Sequence, residues 1–204
     1  MGAFTGSITY KQYFVDGDLP DGFRDQFETA LRENAFRELD HGEERSLGWV
    51  TSEDLLDADF ALPKFLFGHF MVMALREDCI KIPPTTLKVH IQQEETLTRQ
   101  RLKRERLSKF ERDEIREAVQ KRLLGKMLPT IRAYDVVWNL ETRAVWLWTH
   151  NRALAETFED LFERTFGLRL VPYNTYCALQ FAGLPERDME RALELEPADL
   201  ITGS

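Results

Sequence analysis

The residues best suited to catalysis in this sequence form a short acidic run, which consists of Glu53, Asp54, Asp57 and Asp59. Two-metal nucleases hold their ions about 4 Å apart on clustered carboxylates, so such a run could line the rim of a nuclease site. Acidic runs are also typical of solvated loops, and no second acidic motif completes a metal site. We therefore predict that the protein is not an enzyme and has no catalytic residues.

Histidine and cysteine are too scattered to indicate a metal site. No histidine has a second histidine four residues away, and we expect His69 to be a hydrogen-bonded core residue. Cys79 and Cys177 lie in no CxxC motif and indicate buried thiols in a reducing compartment. Glycine motifs for phosphates or dinucleotides are missing. We predict no metal and no cofactor.

The strongest functional signal is a basic segment, Arg99–Lys126, in a chain of net charge −8. Its eleven basic and five acidic residues give +6, which leaves −14 on the rest. A local positive field attracts polyanions even on an acidic protein, and each cation placed on a phosphate releases a counterion. The simpler alternative is a solvated helix. The candidate DNA-binding residues are these eleven cations and two that follow them: Arg99, Arg101, Lys103, Arg104, Arg106, Lys109, Arg112, Arg116, Lys121, Arg122, Lys126, Arg132 and Arg143.

Two helices must position this segment. A single helix over 86–126 would be ~60 Å long, whereas a domain of this size is only ~40 Å across. Ser108 and Glu111 match the S-x-x-E capping box, so we predict helices over about 86–106 and 109–125 that form a protruding hairpin. The apolar residues are irregular for a coiled coil and could pack one helix on the other or bind another protein: Leu97, Leu102, Leu107, Phe110, Ile115, Val119 and Leu123.

The remaining sequence predicts a body of strands and amphipathic helices. Alternation over 8–14 predicts a strand whose apolar side carries Ile8, Tyr10 and Phe14. The run 65–75 is apolar on both alternating sets, as in a central strand covered on both faces. Further elements are predicted as a helix over 21–37, a short apolar element at 47–50, strands over 131–138 and 143–148, a helix over 154–165 that ends at Gly167, and a strand at 168–171.

The fold class that these elements predict is α+β, with an antiparallel sheet body, packed amphipathic helices and a protruding long helical hairpin. We divide the chain into a body (1–84 and 128–185), the basic hairpin insert at its tip (85–127) and an acidic C-terminal tail (186–204). Trp138, Trp146 and Trp148 could stack on bases, but we expect them in the core.

Residues 1–10 have neither the basic nor the apolar region of a signal peptide. No apolar stretch approaches the ~20 residues that span a bilayer. The sequence therefore predicts a cytoplasmic protein without a membrane partner.

The order and spacing of several short motifs resembles the RdgC family of recombination-associated proteins, over most of residues 1–180. The motifs are Leu47-Gly48-Trp49-Val50, Ile80-Lys81-Ile82-Pro83-Pro84 before a long charged helix, Asp113-Glu114-Ile115, Leu123-Leu124, Val136-Val137-Trp138 and Leu170-Val171-Pro172-Tyr173. The resemblance implies a non-specific binder of mainly duplex DNA, a head-to-tail homodimeric ring with a positive inner surface, and restraint of the RecA recombinase. Family members usually carry a further C-terminal portion that helps to close the ring, so here the dimer could instead remain an open clamp.

We therefore predict a nucleoid-associated, homodimeric ring or clamp that binds duplex DNA without sequence preference and regulates RecA-type homologous recombination. The expected partners are DNA, a second copy of the chain and, indirectly, RecA. The alternatives are a metal-dependent exonuclease, which the resemblance implies because some members of the family carry that label, and a protein-interaction module that does not bind DNA.

Overall fold

An antiparallel sheet forms the body of the computed structural model, which describes residues 9–40 and 42–174 together with Arg187, Asp188 and Arg191. The fold is α+β, as predicted. Within 9–40 and 42–174 the elements are β1 (Lys11–Asp16), α1 (Phe23–Glu33), β2 (Arg45–Val50), α2 (Leu62–Phe65), β3 (Leu66–Phe67), β4 (Phe70–Cys79), α3 (Pro84–Leu102), α4 (Lys109–Leu124), β5 (Thr130–Asn139), β6 (Ala144–Leu147), α5 (Arg152–Phe166) and β7 (Arg169–Pro172).

The strand order along the sheet is β2-β4-β5-β6-β1-β7, and β3 also pairs with β4. All of these pairs are antiparallel. The longest ladder joins β4 to β5 and runs from Phe70 opposite Asn139 to Cys79 opposite Thr130. Two long neighbouring strands therefore form the centre of the sheet.

The main core lies between one face of the sheet and the two amphipathic helices, α1 and α5. The apolar side chains of α5 recur every four residues, at Leu154, Phe158, Phe162 and Phe166, so one face of the helix is buried. Trp138 of β5 packs edge-on against Phe162, with ring centroids 5.1 Å apart. Burial of such aromatic side chains supplies much of the hydrophobic stabilisation of a domain.

The predicted orientation of the first strand is wrong. Tyr13 and Val15 contact the main core, whereas Tyr10 is exposed and Phe14 lies in a small cluster with Ala144. Alternation could not assign the faces because β1 carries large side chains on both of them. Ile8 lies outside the described residues.

The predicted central strand over 65–75 begins later than expected, at Phe70, and continues through three buried charged residues to Cys79. Gly68 has a φ of 63° and forms the turn before β4. The expectation that His69 is a core residue is wrong, because this turn leaves its side chain 48% exposed, 3.7 Å from the Glu141 carboxylate. Apolar neighbours on both sides made a turn residue resemble a strand residue.

The predicted ends of two helices are confirmed. Ser108 and Glu111 form both hydrogen bonds of a capping box at the start of α4. Gly167 ends α5 in the left-handed conformation, with a φ of 67°. Among the residues that the structure describes, none of the helices combines the length and apolar character that crossing a bilayer requires.

Some predictions lie outside the described residues. These are the ones on Cys177 and on most of the tail at 186–204. Cys79 is a free, half-buried thiol.

Candidate nucleic-acid interface

The basic segment lies on α3 and α4, which are inserted between two neighbouring strands of the sheet. Because Cys79 and Thr130 are opposite each other in the β4–β5 ladder, the two helices occupy the place of a strand-to-strand turn. They pack mainly against each other. We call residues 84–124 the basic hairpin.

The two helices are separated by a short apex at residues 103–108, which carries concentrated positive charge. Lys103, Arg104 and Arg106 lie in this apex with a single acid, Glu105. Lys103 ends α3 in the left-handed region, with a φ of 51°. The apex therefore presents its cations on a sharp, conformationally defined bend.

Most of the candidate cations in the hairpin are free to meet a ligand. Ten of the eleven in Arg99–Lys126 are exposed, and Arg99 is half-buried. Within 9–40 and 42–174, only two of them form ion pairs: Arg104 with Glu111 at 3.6 Å and Arg122 with Glu94 at 3.1 Å. Exposed ion pairs contribute little, so phosphate could compete for these two arginines as well.

An open groove of about 810 Å³ runs between α3 and α4. Half-buried Leu87 and Ile91 form an apolar floor. Four cations line it, namely Lys88, Lys109, Arg112 and Arg116, with two acids, Glu95 and Asp113. The sequence analysis did not include Lys88, because a stretch of uncharged and acidic residues separates it from the basic segment.

The two candidate cations beyond Lys126 lie at opposite ends of β5. Arg132 is exposed near the start of the strand, on the side from which the hairpin leaves the sheet. Arg143 follows the far end, about 24 Å away at ~3.4 Å per residue. Its guanidinium donates a 2.6 Å hydrogen bond to Asp18. The structure therefore groups Arg132, but not Arg143, with the hairpin.

The acidic run at 53–59 holds its own loop together. Asp57 accepts a 2.8 Å hydrogen bond from Lys64, which holds the pKa of that carboxyl below its ordinary value. Asp59 lies 3.6 Å from Arg32, and Asp54 accepts from the backbone N–H of Leu56. In the described part of the chain, no group of three or more His, Cys, Asp or Glu side chains could hold a metal ion.

The three tryptophans divide between the two faces of the sheet. Trp138 is fully buried in the main core, as expected. Trp146 and Trp148 are partly buried on the opposite face, outside the main core, and Trp146 packs against the small cluster of Phe14 and Ala144. Trp148 lies 5.7 Å from the exposed ring of Tyr10, between ring centroids. The sequence placed both tryptophans on one strand face but could not show that this face lacks a covering helix.

Several apolar side chains of the hairpin remain uncovered. Leu97 is 51% exposed and Phe110 is 70% exposed. In contrast, Val119 and Leu123 are buried near the base of α4. Packing of one helix on the other therefore accounts for only part of the apolar residues that the sequence analysis singled out.

Two comparisons with known proteins add to this geometry. The model of one protein family, described as "Putative exonuclease, RdgC", matches residues 16–182 of the 204-residue chain. No curated protein matches the chain. The matched span contains every candidate DNA-binding residue and the acidic run at 53–59.

Proposed function

This chain belongs to the RdgC family, and from that premise we propose that it binds DNA without reading its sequence, through the basic hairpin. Family membership gives the protein a role in recombination. The observation that carries the DNA proposal is the set of exposed cations on α3, the apex and α4 of an acidic protein. These cations supply an attraction that the net charge of −8 conceals.

The dimensions of the hairpin suit a DNA backbone. Helix α3 has 19 residues and α4 has 16, so they are about 28 and 24 Å long at 1.5 Å per residue. One strand of duplex DNA carries one phosphate for every ~3.4 Å of the duplex axis, so each helix is as long as about seven to eight base pairs. Contacts from Lys and Arg to phosphate hold a protein on DNA but carry no sequence information.

Assembly as a homodimer is a further part of the proposal. Leu97 and Phe110 expose apolar surface on the hairpin, and exposed apolar patches often mark protein contacts. A second copy bound there would turn two hairpins into a clamp or ring around duplex DNA. Such a dimer would associate with the nucleoid and oppose RecA filaments as a physical barrier on the duplex.

We propose a non-catalytic role for the acidic run, although the family description names an exonuclease. Asp57 and Asp59 are engaged by Lys64 and Arg32, so a metal ion would have to displace these cations. A two-metal mechanism needs carboxylates that converge on the ions. In this loop the carboxylates instead bind side chains and backbone of their own surroundings.

The test is fluorescence anisotropy with a labelled duplex of about 30 base pairs over a salt series, with Mg²⁺ present. The key variant changes Arg101, Lys103, Arg104 and Arg106 to Gln. Its control removes four exposed cations outside the hairpin, Arg24, Arg37, Arg152 and Arg169, and so has the same net charge. We expect the wild type and the control to share a steep slope of log K against log salt.

The key variant should have a slope that is shallower by up to about 3.6, at ~0.9 for each phosphate that the variant no longer neutralises. The DNA should remain intact. Absence of binding by the wild type at low salt, or equal slopes for the two variants, would refute DNA binding by the hairpin. Mg²⁺-dependent shortening of the duplex, abolished by Asp57→Asn, would establish the exonuclease instead.

A further inference from the structure

The groove between α3 and α4 has a chemistry that a DNA backbone alone does not match. Its floor is apolar, formed by Leu87 and Ile91, while its cations outnumber its acids by four to two. Phosphates would satisfy the cations but leave the apolar floor in contact with water. A better occupant combines carboxylates with apolar side chains.

The last part of the sequence has this combination. Residues 186–204 contain six carboxylates and two arginines, a net charge of −4. Met189 and Leu193 add apolar side chains to these carboxylates. Arg187, Asp188 and Arg191, which the structure describes, are helical. We call residues 186–204 the acidic tail.

The connection between the body and the acidic tail starts toward the end of the sheet from which the hairpin leaves, because β7, which precedes it, runs antiparallel to β5. Twelve residues, 175–186, separate Asn174 from Arg187. An extended segment of that length spans up to ~40 Å at ~3.4 Å per residue, which is comparable with the ~40 Å diameter of a domain of this size. Tethering also raises the local concentration of a bound segment to about the millimolar range.

We propose that the acidic tail binds in the α3–α4 groove of its own chain and competes with DNA for Lys88, Lys109, Arg112 and Arg116. The competition rests on the proposed function, whereas binding of the tail in the groove does not. Bound tail would screen the hairpin cations from non-specific polyanions. A long duplex that engages many cations at once would displace it.

The first experiment needs no DNA. A carbodiimide joins a carboxylate directly to a lysine that it contacts, and mass spectrometry of the full-length protein identifies the linked peptides. We expect tail carboxylates to be linked to Lys88 and Lys109 in preference to Lys11 and Lys81. A mixture of isotopically light and heavy protein shows whether the link is within one chain. Links spread evenly over all four lysines, or links from the groove lysines to a second copy, would overturn the proposal.

The second experiment measures duplex affinity at fixed salt. The tail variant changes Glu186, Asp188, Glu190, Glu194 and Glu196 to their amides. The control makes the same change at five exposed carboxylates of the body: Asp21, Asp25, Glu33, Asp160 and Glu163. Both variants therefore have the same net charge.

We expect the tail variant to bind DNA at least about threefold more tightly than the control, because only the tail variant loses a tethered competitor. Equal affinities would refute the competition. If no form of the protein binds DNA, the proposed function fails, and the cross-links alone then decide whether the tail occupies the groove.

Discussion

The indole nitrogen of Trp49 donates a 2.9 Å hydrogen bond to the hydroxyl of Thr165, and so joins β2 to α5 across the core. The same hydroxyl donates to the carbonyl of Leu161 at 2.7 Å. Both side chains are buried, so neither group can turn to water. A buried donor that loses its partner costs the full desolvation penalty.

Thr165→Val should therefore lower the free energy of unfolding by about 1–3 kcal/mol, because it keeps the shape but leaves the Trp49 indole unpaired. Urea denaturation measures the change. Thr157→Val is the control, since its hydroxyl only bonds to the Ala153 carbonyl one helical turn away. Equal losses for the two variants would show that the link between β2 and α5 contributes nothing specific.

The buried pair of Arg76 and Asp78 should behave as a unit. Two hydrogen bonds of 2.8 and 2.7 Å join them, and the guanidinium lies 4.1 Å from the ring centroid of Phe36. Asp78→Ala should cost about 3–5 kcal/mol because it leaves a buried, unpaired charge. The double variant Arg76→Met with Asp78→Leu should cost less than Asp78→Ala alone. A larger loss for the double variant in urea denaturation would contradict this account.

Gly48→Ala should destabilise the edge of the sheet. A Cβ at this position would lie 2.5 Å from the Cα of Phe36, because the segment after α1 is hydrogen-bonded to Trp49 of β2 and lies against Gly48. Backbone atoms cannot move aside as a flexible side chain can, so we expect a loss of about 1–3 kcal/mol. The wild type is the comparison, because Ser46→Ala would itself remove a 2.6 Å hydrogen bond to the Arg37 carbonyl. A thermal melt measures the effect, and a melting temperature equal to that of the wild type would refute the close approach.

Ser108→Ala should loosen the start of α4 by about 1 kcal/mol, because its hydroxyl accepts a 3.2 Å bond from the N–H of Glu111. Hydrogen exchange of the first-turn amides of α4 measures this locally. The Glu111 carboxylate in turn accepts from the N–H of Ser108 at 2.7 Å, and this bond lowers the pKa of Glu111.

The sign of the pH effect follows from that lowered pKa. The Glu111 carboxylate stabilises the start of α4 fully above the ordinary pKa of a glutamate. This stabilisation is lost as the pH falls through the lower pKa that Glu111 has in the folded state. At neutral pH the first-turn amides of α4 should therefore exchange faster in Glu111→Gln than in the wild type. The difference between the two exchange rates should shrink in acid. A difference that grows in acid would rule out this role.

Lys103→Gly should separate stability from DNA binding. Glycine adopts the φ of 51° at this position without the steric cost that lysine has, so stability should rise by up to about 1 kcal/mol. Duplex affinity should fall, because one apex cation is removed. Arg101→Gly removes the same charge inside α3 and should lower both stability and affinity. A loss of stability in Lys103→Gly would show that lysine has no steric cost at this φ.

The sequence was most informative where a local rule decides the structure. The helix boundary at Ser108 and the stop at Gly167 follow from side-chain and backbone chemistry within four residues. The orientation of β1 and the position of His69 depended on which surfaces the rest of the chain covers, and alternation of side chains does not contain that information.

The same limit applies to the candidate interface. Counting charges located the basic segment, because ten of its eleven cations lie on two consecutive helices and the apex between them, and Lys126 follows directly. The count could not show that Arg143 lies beside Asp18 at the other end of β5, or that Lys88 joins the groove. Both facts arise from pairing between segments that are distant in the sequence.

The insertion of the hairpin between β4 and β5 has a mechanical consequence. Any force that acts on the hairpin enters the body at Cys79 and Thr130, the ends of its two longest strands. A pull on both strands in the same direction loads their ladders with β2 and β6 in shear, where many hydrogen bonds resist together. The fold therefore allows the hairpin to bear tension without unzipping the sheet.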